Sequence, residues 1–156
     1  MARAFIGIGS NLGDRAAFVR QSVRKLRSFA RVLRVSSLHE TEPVGVTGRQ
    51  PDFLNAVAEI ETSSAAIELM GQLLSVEAEI GRIRKKPGTA RRIDLDLLSY
   101  DDLVLDQPVL QVPHPRMHER RFVMEPLTEL APAWVHPVLG RTASELLGQL
   151  SRTNER

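Results

Sequence analysis

The chain has 156 residues, which is enough for one domain with a sizeable core and leaves little room for a second. Its 21 Lys and Arg exceed its 19 Asp and Glu by only two, so the overall charge does not favour wholesale nucleic-acid binding. Cysteine is absent, which excludes disulfides and a thiol nucleophile, and neither a signal-peptide pattern nor a membrane-length apolar run occurs, so we expect a cytoplasmic protein.

Apolar periodicity predicts the order strand, helix, strand, strand, helix, strand. The strands are expected at residues 4–9, 32–38, 53–61 and 90–100, and the helices at 18–29 and 67–81. This order is typical of a ferredoxin-like α+β sandwich, βαββαβ, in which helices flank a mainly antiparallel sheet. We expect residues 101–156 to add a C-terminal extension with a hairpin-like piece and two short helices, within a single domain that spans residues 1–156.

The first strand runs into a loop of small residues, Gly-Ser-Asn-Leu-Gly at 9–13. Its backbone amides and the Asn11 side chain could bind a ligand ahead of the following helix. The loop does not match the glycine fingerprints of phosphate-binding loops, and an ordinary turn explains it equally well.

Phe53 and Asn55 have the same parity in the strand expected at 53–61. An aromatic ring beside an amide suits a flat heterocycle that is stacked and read by hydrogen bonds. A core Phe and a turn-capping Asn would give the same pattern.

A basic segment precedes the last predicted strand. Its cations lie on both sides of Pro87-Gly88: Arg82, Arg84, Lys85, Lys86, Arg91 and Arg92. Arg side chains pair bidentately with phosphate oxygens, so the segment suits a polyphosphate ligand. A solvated charge run at a helix end, where cations favour the helix dipole, is the alternative.

Asp94 and Asp96 lie in that strand. With a period of two, Ile93, Leu95 and Leu97 point to one face, and the two carboxylates point to the other, with their Cα atoms about 6.5 Å apart. Like charges in this arrangement repel each other, and a pair of divalent ions shared with substrate phosphates would neutralise them. A polar outer face neutralised by neighbouring arginines has the same pattern, and the alternation alone does not separate the two.

The loop at residues 112–121 is stiffened by proline and contains two His and three Arg residues. Its one acidic residue is Glu119, so we interpret His114 and Arg120 as phosphate donors rather than as parts of a metal site. We assign no role to His39 or His136.

Together these segments resemble the 6-hydroxymethyl-7,8-dihydropterin pyrophosphokinase family of the folate pathway over nearly the whole chain. The matching segments occur in the family's order: Ile8–Gly13; Ser36 and Ser37 through Thr41, with Pro43 and Gly45; Gln50–Ala56; Glu77 with Gly81–Arg84; Arg91 with Ile93–Leu98; and Val112–Pro115 with Arg120, Phe122, Pro126 and Leu127.

The resemblance implies transfer of the β,γ-diphosphoryl group of ATP to the hydroxymethyl oxygen of the pterin, which gives AMP. It implies that Asp94 and Asp96 hold two Mg²⁺ ions and that, with Arg82 and Arg91, they form the catalytic set; Asp96 is also a candidate base. The implied ATP-binding residues are Glu77, Arg82, Arg84, Arg91, Leu97, His114 and Arg120. The implied pterin-binding residues are Gly9, Asn11, Thr41, Val44, Phe53, Asn55 and Phe122.

The chain departs from the family pattern mainly in the basic segment. Residues 87–90, Pro-Gly-Thr-Ala, replace an aromatic residue and a Gly-Pro pair, and Arg92 replaces a small polar residue. Leu74 stands where a Gln often contacts the nucleotide. We therefore expect the segment that closes over the pterin to seal the site differently.

Two other classes of protein use similar features. A nucleotidyltransferase or another two-metal enzyme on a ferredoxin-like sheet would use the Asp pair but leaves the matches at Thr41, Phe53–Asn55 and Phe122 unexplained. A ferredoxin-like RNA-binding or regulatory module would rely on surface aromatics, and only 4% of this chain is aromatic. We expect a monomer that acts on small molecules and binds neither nucleic acid nor membranes.

Overall fold

The computed structural model describes residues 1–11, 14–41, 53–83 and 93–150. Its strands are β1 (Ala2–Ser10), β2 (Arg31–Val35), β3 (His39–Thr41), β4 (Phe53–Thr62), β5 (Ile93–Tyr100), β6 (Leu105–Gln107) and β7 (Leu110–Val112). Its helices are α1 (Arg15–Leu26), α2 (Ala66–Ile83), α3 (Arg121–Leu130) and α4 (Ala143–Gly148), and a 3-10 helix spans Met117–Glu119.

The main sheet has the strand order β2-β4-β1-β5, with β3 also paired to β4. Every neighbouring pair is antiparallel. Strands β1, β2, β4 and β5 therefore have the order and directions of a ferredoxin-like βαββαβ unit, and the predicted fold class is confirmed.

The strand predicted at residues 32–38 is divided into β2 and β3. The backbone N–H of Ser36 donates to the carbonyl of Val57, but the N–H of Val57 donates to the Ser36 hydroxyl, both at 2.9 Å. A side chain thus takes the place of a backbone acceptor, and the ladder is interrupted there. This interruption separates β3 from β2.

Helices cover both faces of the sheet. On one face, α1 and α2 bury Ile6, Ile8, Leu95 and Leu97, which confirms the inward direction predicted for alternate residues of β5. On the other face, a second buried cluster joins the sheet to residues after position 116: Phe5, Val57, Leu98, Met117, Phe122, Val123, Met124, Leu127, Ala143 and Leu146. The C-terminal extension therefore supplies part of the core rather than an appendage.

Local capping fixes where two helices begin. The Asp14 carboxylate accepts a hydrogen bond from the N–H of Ala17, 3.1 Å away, at the start of α1. Thr142 and Glu145 form a reciprocal capping box at the start of α4. None of the helices in the described ranges is long and apolar enough to cross a membrane.

Candidate active site

Asp94 and Asp96 lie beside two glycines of β1. The strand register pairs Asp94 with Gly9 and Asp96 with Gly7, and on its other side Gly9 is paired with Asn55 of β4. Directly paired residues share one face of an antiparallel sheet, so Asn55 and Asp94 flank a position that carries no side chain. Two interstrand spacings put their backbones about 10 Å apart.

A narrow cleft opens above this glycine floor. Its walls include Gly7, Gly9, Asn55, Asp96 and Phe122, three of which are residues predicted for the pterin site. The described walls enclose about 10 Å³, room for roughly one water molecule. A bicyclic ring therefore requires the cleft to widen.

A second, larger pocket of about 280 Å³ lies at the edge of β5, beside α2 and the β6–β7 hairpin. Three residues predicted for the ATP site line it: Glu77, Leu97 and His114. Asp96 lines this pocket as well as the narrow cleft. One carboxylate thus borders both cavities.

Glu77 fixes the outer edge of β5. Its Oε2 accepts a hydrogen bond of 2.6 Å from the backbone N–H of Leu95, a group that faces away from β1. The two-residue repeat of a strand then directs the backbone N–H and C=O of Leu97 the same way. Burial raises the pKa of Glu77; the hydrogen bond from Leu95 opposes this rise, and the charges of Asp94 and Asp96 add to it.

His114 is held at both its backbone and its ring. Its N–H donates to the carbonyl of Leu98 at 2.9 Å, and its Nδ1 accepts from the N–H of Arg116 at 3.3 Å. Burial lowers the pKa of His114, and the Arg120 and Arg116 charges lower it further against the opposing effect of Asp96. A neutral ring with Nδ1 occupied as an acceptor carries its proton on Nε2, which leaves Nε2–H as the donor.

Arg120 lies beside Phe122, a residue that lines the narrow cleft. The guanidinium carbon of Arg120 is 5.6 Å from the centroid of the Phe122 ring, a cation–π distance. Arg120 was predicted for the ATP site and Phe122 for the pterin site, so the structure places these two predicted groups side by side.

Other predicted residues are less informative. Asn11 and Phe53 are buried, at 1% and 5% exposure, and neither lines the two cavities above. Val44, Arg84 and Arg91 lie outside the described residues, as do the side chains of Thr41 and Arg82.

The acidic pair fits magnesium as far as its donor chemistry goes. Carboxylate oxygens are hard ligands, and Mg²⁺ is commonly held by one or two carboxylates together with substrate phosphates and water. Within the described parts of the chain, no group of three or more His, Asp or Glu side chains is arranged to hold a metal ion. As far as the described residues go, the remaining oxygen ligands of such a site would come from substrate phosphates and water.

Sequence reasoning did not identify several lining residues. Gly7 has the same parity as Gly9 on β1 and could have been found by that repeat. Met70 of α2 and Val109 of the β6–β7 turn also line the larger pocket. Met70 belongs to the apolar stripe of the helix predicted at 67–81, and the sequence has no local signal that the hairpin with Val109 will approach α2.

Comparisons with known proteins bear on the same stretch of chain. The model of the family described as 7,8-dihydro-6-hydroxymethylpterin-pyrophosphokinase matches residues 5–132. A 2-amino-4-hydroxy-6-hydroxymethyldihydropteridine pyrophosphokinase of Aquifex aeolicus is 35% identical over 145 residues, covering 93% of this chain and 90% of that protein. The folic acid synthesis protein fol1 of Schizosaccharomyces pombe is 40% identical over 149 residues, or 94% of this chain, which spans only 20% of that longer protein.

A solved structure gives the same fold. The Plasmodium falciparum HPPK-DHPS crystallised with pteroate superposes with a TM-score of 0.70 at 14% sequence identity. The match covers 95% of this chain and 42% of the Plasmodium chain.

Proposed function

Because the chain belongs to the 7,8-dihydro-6-hydroxymethylpterin-pyrophosphokinase family, we propose that Asp94 and Asp96 lie at the centre of its reaction. The enzyme transfers diphosphate from ATP to the hydroxymethyl group of 6-hydroxymethyl-7,8-dihydropterin, giving the pterin diphosphate and AMP, in folate biosynthesis. The observation that carries the site assignment is that Asp96 borders both the 280 Å³ pocket and the glycine-floored cleft.

The 280 Å³ pocket is the proposed ATP site. The neutral His114 would donate its Nε2–H to a phosphate oxygen, and Arg120 would add a positive charge beside it. Glu77 would hold the edge of β5 so that the backbone of Leu97 faces the adenine ring of ATP. Arg82, Arg84 and Arg91 would pair with the triphosphate, in keeping with the positioning and charge stabilisation that phosphoryl transfer requires.

Asp94 and Asp96 would hold two Mg²⁺ ions. When bound, these ions would neutralise negative charge on the phosphate oxygens of ATP. Asp96 is also positioned between the two cavities, where a carboxylate could accept the proton of the hydroxymethyl group as its oxygen attacks the β-phosphorus and AMP leaves.

The glycine-floored cleft is the proposed pterin site. Asn55 would read the edge of the ring by hydrogen bonds, and Phe122 would supply an aromatic surface. Gly9 would let the ring approach the backbone of β1. Asn11, Thr41, Val44 and Phe53 complete the proposed set. Since the cleft is narrow, pterin entry should move the Phe122 ring.

The direct test is to incubate the purified protein with Mg²⁺, ATP and 6-hydroxymethyl-7,8-dihydropterin and to separate the nucleotides. We expect AMP and pterin diphosphate in equal amounts, with none formed when Mg²⁺ is removed by EDTA. Release of ADP, or AMP formation that does not need the pterin, would contradict the proposal.

We also propose that residues 1–156 act as one domain, as a monomer, and in the cytoplasm, where ATP is plentiful. Sedimentation velocity at micromolar concentration would test the monomer, since a dimer would have twice the mass.

A further inference from the structure

A cluster of polar side chains links β3 to α3, next to the cleft. Its centre is the carboxylate of Glu129. Oε1 of Glu129 accepts from the Ser37 hydroxyl at 2.6 Å and contacts Nε2 of His39 at 3.0 Å, while Oε2 accepts from the Ser37 N–H at 2.8 Å. Nδ1 of His39 lies 3.7 Å from Oε2 of Glu125, one helical turn earlier on α3. We call Ser37, His39 and Glu129 the β3–α3 clamp.

One residue of the clamp, His39, is bonded to Asn55. His39 is paired with Asn55 in the antiparallel register of β3 and β4. The side-chain Nδ2 of Asn55 donates to the backbone carbonyl of His39 at 3.3 Å. This bond takes up one N–H of the Asn55 amide, because only the NH₂ end of the side chain can donate. The carbonyl that accepts this bond belongs to His39, the residue whose side chain contacts Glu129.

Another residue of the clamp, Glu129, lies on the same helix as Phe122. Phe122, Glu125 and Glu129 have the spacing i, i+3, i+7, which places them on one stripe of α3. That helix packs against both β3 and β4. Glu129 thus ties the C-terminal end of α3 to the segment that contains Ser37 and His39, and Phe122, near the start of the same helix, lines the cleft together with Asn55.

Hydrogen bonds to a carboxylate are stronger than those between neutral groups, and Glu129 receives several. The bonds from the side chain and backbone of Ser37, followed by the bond from His39, lower the pKa of Glu129 to about 2. The carboxylate is therefore ionised near neutral pH, the form that accepts these hydrogen bonds.

We propose that Ser37, His39 and Glu129 are positioning residues for the pterin: they hold the Asn55 amide and the Phe122 ring in the arrangement that the heterocycle needs. This inference rests on the proposed function of the cleft. None of the three side chains lines the narrow cleft or the 280 Å³ pocket in the part of the chain that the structure describes, so their removal should weaken pterin binding through Asn55 and α3 and leave the nucleotide pocket at the other edge of the site unaffected.

The test compares Glu129→Gln, Ser37→Ala and His39→Ala with the wild type in AMP formation, varying the pterin and ATP separately. We expect each variant to raise the KM for the pterin about fivefold, the effect of weakening one hydrogen bond, with the KM for ATP within about twofold. His39→Gln should recover most of the loss, because its amide can still donate to Glu129. Glu79→Gln, which removes an exposed ion pair with Lys25 on α1, is the matched control.

The Kd of the pterin is measured from its fluorescence in the presence of a non-hydrolysable ATP analogue, and this measurement separates affinity from turnover. The thermal midpoint of each variant separates positioning from loss of fold, and the milder Ser37→Ala serves if Glu129→Gln does not fold. Equal effects on pterin and ATP, or no effect of any clamp variant in an active enzyme, would overturn the inference alone. A wild type that forms no pterin-dependent AMP would overturn the proposed function and the inference with it.

Discussion

Replacement of Asp96 by Asn should abolish most of the activity while making the protein more stable. Asn keeps the shape of the side chain and removes its negative charge. The Cα atoms of Asp94 and Asp96 are about 6.5 Å apart along β5, and two unit charges at about that separation repel by about 0.6 kcal/mol in water and about 2.5 kcal/mol at an effective dielectric constant of about 20. Glu77 adds a third carboxylate nearby. Burial is the main cause that raises the pKa of Glu77, and the charges of Asp94 and Asp96 raise it as well.

Relief of this repulsion should raise the thermal midpoint in metal-free buffer by about 1 to 10 °C for a chain of this length. Activity should change in the opposite direction. Loss of one preorganised electrostatic contact in an active site commonly lowers kcat about 100- to 1,000-fold. The Mg²⁺ concentration needed for half-maximal rate should also increase, because one ligand charge is gone.

The assays are thermal unfolding in EDTA and AMP formation across a Mg²⁺ titration. Asp102→Asn is the matched control, because Asp102 is exposed in the turn after β5, where the same change should leave both measurements unaltered. An Asp96→Asn enzyme with kcat within about threefold of the wild type would refute the metal role. A variant that is inactive because it unfolds would refute the repulsion argument.

Three further outcomes are expected. His114→Gln should raise the KM for ATP less than His114→Asn does, because Gln places an N–H near the position of Nε2, whereas Asn mimics Nδ1; initial rates at varied ATP measure this. Hydrogen bonds from Ser37 and His39 lower the pKa of Glu129 to about 2, from the 4.5 of an ordinary Glu carboxyl, so this residue contributes stability above pH 4.5 that is lost as the pH falls toward 2; unfolding midpoints of Glu129→Gln should therefore depend less on pH over that window. Thr142→Ala removes the cap of α4 and should cost about 1 kcal/mol, or about 2 to 4 °C, with AMP formation unchanged.

The sequence pattern was sufficient for the main sheet, although β1 and β4 are apolar runs buried at almost every position and only β5 was predicted from alternation. Residues 4–9 and 53–61 lie within β1 and β4, and the alternation around Leu95 and Leu97 gave the buried face of β5. It failed at residues 36–38, where Ser36 replaces a ladder bond with its own hydroxyl. A serine in a β-like run carries no local sign that its side chain will bond to a strand more than 20 residues away.

The candidate site also has one part that the sequence predicts and one part that it does not. The acidic pair could be predicted because two residues on one strand share a face by geometry alone. The position of Asp96 between two cavities could not be predicted, because it depends on how β7, α3 and β4 are arranged around β5. His39, to which we assigned no role, shows the difference most clearly. Its partner Glu129 is 90 residues away, and no periodicity relates β3 to α3.

Strand β1 explains why the cleft lies where it does. On one face its residues Ile6 and Ile8 are buried beneath α1 and α2, and on the other Phe5 packs with the C-terminal helices. The next two positions on that second face are Gly7 and Gly9, so the helical cover meets no side chains from β1 beyond Phe5. Packing alone does not require glycine at position 7, because an added Cβ would meet Leu98 at 3.4 to 3.7 Å, within ordinary contact. The register places a side chain at position 7 between Val57 and Asp96, so it would occupy the floor of the cleft beside Asp96, where the proposed reaction needs room for the pterin.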